Sequence, residues 1–182
     1  MTIFAFVGYM GSGKTTVAKT ALAGRTDIVH FSFSDPMIEM MRALGVSDDI
    51  INDKSRWNEP LDILSGRTLR HAMQTIGTEW GRNQMHPDFW LNLAMCRAHG
   101  LATEGKHSFI DNVRFPNEFE AIDNAGGILI AIRRKNVVPK NEVHESEKYI
   151  NQLQARCHAK LYNDGIIAEC AEKLGRFLDR HA

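Results

Sequence analysis

The stretch Gly8-Tyr9-Met10-Gly11-Ser12-Gly13-Lys14-Thr15 stands directly after the apolar run Ile3-Phe4-Ala5-Phe6-Val7, and nothing else in the chain restricts the fold as strongly. Its spacing, G-x-x-x-x-G-K-[ST], is that of a phosphate-binding P-loop. Glycines let the backbone bend around phosphate oxygens, backbone N–H groups donate to them, and the N-terminus of the following helix adds positive potential. Val17 to Leu22 supply that helix, with small and apolar residues and no breaker before Gly24. Gly11, Ser12, Gly13, Lys14, Thr15 and Thr16 are therefore the candidate triphosphate-binding residues. Lys14 is expected to reach the β- and γ-phosphates and Thr15 to hold Mg²⁺. A dinucleotide-binding loop is excluded, because Thr16 stands where its third glycine belongs.

Composition narrows the rest. A chain of 182 residues with 43% hydrophobic content is the size of one domain with a substantial core. Lys plus Arg and Asp plus Glu both number 22, so no global basic field draws it to nucleic acid or a membrane surface. Cys96, Cys157 and Cys170 form no C-x-x-C pair, which speaks against a disulfide framework or a zinc site. The longest apolar runs are too short for a membrane span or signal core, so the expectation is a cytoplasmic protein.

Strand and helix signals alternate. Ile28 to Phe33 reads as a second strand, followed by a helix from Pro36 to Leu44. Asp35 then falls at a strand's C-terminal edge, where open α/β sheets bind ligands, although a helix-capping role fits it equally. Residues 46–67 are polar and mixed and suggest short helices and loops without sheet. Leu69, Met73 and Ile76 have helical spacing, as do Phe89 to Met95, with a bend expected between Gly77 and Pro87. His107 to Asp111 reads as a third strand ending in an acid, and Ile128 to Ile132 as a fully buried parallel strand. Ala159 to Tyr162 is a weaker fifth. The fold expected is α/β: a three-layer α/β/α sandwich with a parallel five-stranded sheet, of the P-loop NTPase type. It would be a single domain over 1–182, with a helical insertion at about 46–105 and a short lid at about 134–147.

A phosphate loop does not say what receives the phosphoryl group. Arg56, Arg67, Arg70, Arg82, Arg114, Arg133 and Arg134 lie near strand ends or in the insertion, and arginine suits bidentate phosphate recognition. Asp111 could hold a water of a Mg²⁺ shell or orient the acceptor, or simply terminate a strand. Trp80 and Trp90 could stack on a base or belong to the core. His144, between glutamates, is a candidate base or ligand, or a helix-start residue.

Several segments together resemble the phage-type deoxynucleoside monophosphate kinases. They are the P-loop, Leu69 to Glu79 with its R-x-x-x-Q-x-x-G-T pattern, Trp90, and Val113-Arg114-Phe115-Pro116-Asn117-Glu118. His144-Glu145-Ser146-Glu147 resembles the family's H-x-[ST]-E, and Asn163-Asp164-Gly165 its N-D-G turn. Many relatives read D-V-R where this chain has Asn112-Val113-Arg114, with its acid one place earlier at Asp111. The resemblance implies transfer of the ATP γ-phosphoryl group to a deoxynucleoside monophosphate, with Mg²⁺. It implies catalytic roles for Lys14, Arg114, Arg133 and Arg134. Acceptor contacts would come from Asp35, Arg56, Arg70, Gln74, Trp90, Asp111, Arg114 and Glu118, with a lid beyond Arg133 excluding water. The partners would be small nucleotides, with no nucleic acid or membrane, and a homodimer is compatible with this. Two alternatives stay open: a P-loop kinase of the dephospho-coenzyme A or phosphomevalonate type, and a nucleotide-dependent switch or assembly ATPase.

Overall fold

The structure, a computed structural model, describes residues 1–137 and 148–182. Along the chain, β1 (Ile3–Val7) leads through the glycine-rich loop to α1 (Lys14–Ala21) and β2 (Ile28–Phe31). Then come α2 (Asp35–Ala43), α3 (Asp48–Asn52), β3 (Pro60–Leu61), β4 (Arg67–Thr68), α4 (Leu69–Gln74) and a π-helix over Thr75–Met85. The remainder is α5 (Phe89–Thr103), β5 (His107–Val113), α6 (Pro116–Asn124), β6 (Ile128–Arg133), α7 (Ile150–Arg156), β7 (Ala159–Tyr162) and α8 (Ile167–His181). The chain divides into two compact units, one of Met1–Ser32 with Ala94–Ala182 and the other of Phe33–Leu93.

The first unit is built on the sheet β2-β5-β1-β6-β7, parallel throughout. β1 lies at its centre, so the chain leaves the middle of the sheet into the phosphate loop, and the strand order reverses there. Alternation explains the layers. Phe4, Phe6, Ile130 and Ile132 turn to the face covered by Val17, Ala18 and Leu22 of α1 and Cys170, Leu174 and Leu178 of α8. Ala5, Val7, Leu129 and Ala131 alternate to the other face and are also buried, as are Phe119, Ile122, Ile150 and Leu153 of α6 and α7. A strand covered on both sides has no reason to alternate polar and apolar residues, which is why β1 and β6 read as unbroken hydrophobic runs. The α/β architecture and five parallel strands are those expected from the sequence.

β5 differs from expectation. Ala5 pairs with Ile110 but Val7 pairs with Val113, so Asp111 and Asn112 together oppose Phe6 in a β-bulge. The strand therefore does not end at Asp111 but continues two residues beyond it, with the acid inside the pairing. The three cysteines are free thiols, and burial pushes the Cys157 thiol up to about 12.

In the second unit the core is Met37, Met41, Val46, Ile51, Leu61, Leu69, Met73 and Trp90. Two corrections arise here. The stretch read as free of sheet contains a two-residue antiparallel ladder between β3 and β4. The expected bend over Gly77 to Pro87 is instead helical, α4 passing directly into the wider π-helix, which ends only at His86. Gly81 serves packing there, not a turn: a Cβ on it would stand 2.3 Å from Nε1 of Trp90. The indole fills the space that a side chain would take. The expected lid lies mostly in 138–147, outside the described residues, as does His144 with its H-x-[ST]-E segment.

Candidate active site

Gly11 and Gly13 hold φ of 86° and 88°, the left-handed region that favours glycine, and this curls the loop around its own axis. Lys14, the first residue of α1, is buried and folds back over that curl, its Nζ donating to Gly8 O at 2.8 Å and Tyr9 O at 2.7 Å. The ammonium is thereby held across the mouth of the loop. Thr16 is exposed on the next turn, and Thr15 is half-buried.

Asp111 completes this centre. Its carboxylate is almost fully buried, with His30 Nε2 at 3.2 Å from Oδ2, a contact not aligned as a hydrogen bond. Burial pushes the carboxyl up, yet His30, a hydrogen bond from Thr15 and the charge of Lys14 outweigh it and hold Asp111 below the usual carboxylate range. The Thr15 hydroxyl and the Asp111 carboxylate thus sit together beside the lysine. Two hard oxygens, one of them ionised, suit Mg²⁺, which takes few protein ligands and fills its shell with water and phosphate. Among the described residues there is no cluster of three or more His, Cys, Asp or Glu side chains that would instead make an all-protein metal cage.

The loop is braced from behind by residues that the sequence reading did not assign. Asn163, immediately after β7, donates from its backbone N–H to Arg133 O at 2.8 Å and from Nδ2 to Ser12 O at 3.0 Å. Its neighbour Asp164 accepts from the Lys135 N–H. The N-D-G turn therefore ties the phosphate loop to the residues that follow β6. Gln154 of α7 is also buried and joins the ends of β1 and β6 to Arg133. Tyr9, Ser12, Arg133, Arg134, Asn151 and Gln154 line a cavity of about 260 Å³ against the loop. The signal for Gln154 was present: it follows Ile150 and Leu153 at i+4 and i+1, a polar residue on the buried stripe of an amphipathic helix.

Arg114 follows β5 and is partly buried. Glu118, in the first turn of α6 and buried, accepts the backbone N–H groups of Arg114 at 2.8 Å and Phe115 at 3.1 Å. It thus fixes the backbone that carries Arg114. Arg133 ends β6, and Arg134 is exposed beside it.

In the second unit, Asp35 is the first residue of α2, four residues past the end of β2. Arg56 pairs with Asp49 at 2.5 Å and Glu59 at 3.1 Å. Arg70 donates to Asn58 Oδ1 at 2.7 Å and lies over the Trp57 ring, so the Arg56–Asn58 turn gathers both arginines. Gln74 is exposed at the end of α4. Trp90 lies in the unit's core, with Nε1 donating to Gly77 O at 2.8 Å. Trp90→Phe, which leaves that carbonyl without its donor, is expected to cost about 1–3 kcal/mol of stability. A urea titration followed by circular dichroism measures it.

Among the described residues no helix is long and apolar enough to cross a membrane. The fold is shared with solved kinases. A shikimate kinase from Aquifex aeolicus superposes with a TM-score of 0.54 at 11% identity, over 98% of this chain and 97% of that one. A dephospho-CoA kinase from Campylobacter jejuni gives 0.53 at 12%, over 98% of each. At such identities the likeness concerns architecture alone. In sequence, a candidate deoxynucleotide monophosphate kinase of Acanthamoeba polyphaga mimivirus is 28% identical over 166 residues, 85% of each chain. The uncharacterized protein ORF77 of Ictalurid herpesvirus 1 is 24% identical over 180 residues, 97% of this chain and 70% of its own length. Residues 46–174 match the deoxynucleotide monophosphate kinase family, a stretch that begins after the phosphate loop, so loop and match are separate observations. The chain, a P-loop kinase, belongs to the deoxynucleotide monophosphate kinase family.

Proposed function

We propose that the protein transfers the γ-phosphoryl group of ATP to the 5′-phosphate of a deoxynucleoside monophosphate, releasing ADP and the deoxynucleoside diphosphate. The observation that carries this reading is the Lys14, Thr15 and Asp111 constellation at the end of the central strand, in a chain of this family. An acceptor phosphate oxygen attacks the γ-phosphorus, the bond from that phosphorus to the β,γ-bridging oxygen breaks, and ADP leaves with the electron pair. There is no covalent enzyme intermediate; positioning and charge stabilisation do the catalysis.

The loop from Gly11 to Thr16 binds the triphosphate, and Lys14 offsets charge that builds on the γ-phosphoryl oxygens. Thr15 and Asp111, the acid acting directly or through water, would hold Mg²⁺, which when bound neutralises phosphate charge. Arg114, Arg133 and Arg134 supply further positive charge, and Glu118 holds the backbone of Arg114. Asp35, Arg56, Arg70, Gln74 and Trp90 are proposed to serve the acceptor, Trp90 by packing from within its core. The reading treats the whole chain as one kinase domain whose acceptor-binding part is inserted between β2 and β5, and it includes a cytoplasmic location.

The test is acceptor dependence. With ATP and Mg²⁺, each of the common deoxynucleoside monophosphates is added in turn, with dephospho-coenzyme A as the contrasting acceptor. ADP release stimulated by at least one monophosphate, with diphosphate identified by anion exchange, is the expected result. Release that ignores every nucleoside monophosphate would refute the reading.

A further inference from the structure

Gln154 is 2% exposed, and its amide is satisfied on every side that matters. Nε2 donates to Val7 O at 3.2 Å and Ile132 O at 3.0 Å, and Oε1 accepts the Nε–H of Arg133 at 3.1 Å. The orientation of the amide is forced by its neighbours. Two carbonyl oxygens need donors on one side and a guanidinium N–H needs an acceptor on the other, so the flipped amide would oppose all three. Val7 ends β1, where the phosphate loop departs, and Arg133 ends β6, where the chain leaves the sheet. The same cavity against the loop is lined by Ser12, Arg133 and Gln154.

We propose that Gln154 is the positioning residue that aims Arg133 at the transferred phosphoryl group; the inference rests on the proposed kinase reaction and on the role given there to Arg133. An arginine side chain has many rotamers, and a free one would spend little time in the geometry that a phosphate needs. Fixing Nε–H to a buried carbonyl sets the plane of the guanidinium and leaves its terminal nitrogens for phosphate oxygens. Because the anchoring amide is itself pinned to β1 and β6, the direction of Arg133 is referred to the strand that feeds the loop. Donor loop and arginine share one reference frame.

Two substitutions separate positioning from support. Gln154→Met removes all three hydrogen bonds at similar volume. Gln154→Glu keeps an acceptor for Arg133 but sets carboxylate oxygens against two carbonyls. If Gln154 acts through Arg133, the Glu variant retains more kcat than the Met variant although it is the less stable protein. If it only supports the strands, the order reverses. At saturating ATP and acceptor, Gln154→Met is expected to lose about tenfold or more in kcat with a much smaller change in the acceptor KM. In an Arg133→Met background the same substitution should cost less than about twofold, because coupled residues are not additive. Equal losses in both backgrounds overturn the proposal.

A measurement without turnover isolates the contact. In nitrogen-15 spectra of the arginine side chains, the Arg133 Nε–H signal, identified by its loss in Arg133→Met, should shift and exchange faster in Gln154→Met. An unchanged signal overturns the contact. An Arg133→Met enzyme as fast as the parent overturns the premise that Arg133 serves the reaction, whatever the spectra show. A parent protein that phosphorylates no monophosphate refutes the proposed function, and the spectra still decide whether Gln154 holds Arg133.

Discussion

Lys14→Ala is expected to lower kcat/KM roughly a hundred- to a thousandfold, about 3–4 kcal/mol of transition-state stabilisation, by analogy with other preorganised contacts to developing charge. The ammonium needs no reorganisation to act, since Gly8 O and Tyr9 O already hold it across the loop. Its positive charge counts most when the γ-phosphoryl group is between two oxygens, so kcat should fall more than KM rises. Both observed bonds run to the loop's own carbonyls and none of them to the sheet, so the variant should remain folded. Steady-state kinetics with a melting curve alongside give the comparison. A folded variant that turns over within about threefold of the parent would remove Lys14 from the chemistry.

Gly13→Ala should cost the loop much of its nucleotide affinity, and Gly11→Ala distinctly less. Both glycines have left-handed φ, so either alanine meets a backbone penalty of roughly 1–2 kcal/mol. They differ in what surrounds them. A Cβ on Gly11 meets nothing within 4 Å, whereas one on Gly13 would stand 2.3 Å from Nδ2 of Asn163. That amide cannot simply swing away, because it donates to Ser12 O and its backbone is bonded to Arg133. Crowding adds about 1–3 kcal/mol, so Gly13→Ala should lose about 2–5 kcal/mol in all. Calorimetric titration with ATP reads both variants. Equal losses at the two glycines would mean that Asn163 does not support the loop.

What the sequence disclosed follows from how local each signal is. The phosphate loop is a contiguous string with a fixed mechanism, and strands β1 and β6 announce burial on both faces by having no polar residue inside them. The family was legible because the segments around Arg70 and Arg114 are long enough to be distinctive, and the match over 46–174 agrees with them. The braces were not legible, because a buried amide is defined by its partners, and Gln154 meets Val7 across 147 positions of chain. The π-helix escaped for a similar reason. Gly77 and Gly81 look like breakers until the indole of Trp90 is seen to occupy the room they leave. Asp111 was found as an acid near a strand end, but its partner His30 was not, since a histidine in a four-residue strand carries no signal of its own.

The bulge in β5 gives the chain's departure from D-V-R a simple arithmetic. Asp111 and Asn112 share the place opposite Phe6, so the strand holds one residue more than its neighbour can pair. Excising Asn112 would leave Asp111 directly before Val113 and Arg114, which spells D-V-R, and would let the ladder run straight. The difference from its relatives is then equivalent to a single codon's length absorbed within one rung of the sheet, with Val113 still opposite Val7. A strand that can swallow an extra residue in this way keeps everything downstream in phase, and Arg114 with α6 behind it need not move when the acid's position in the alignment does.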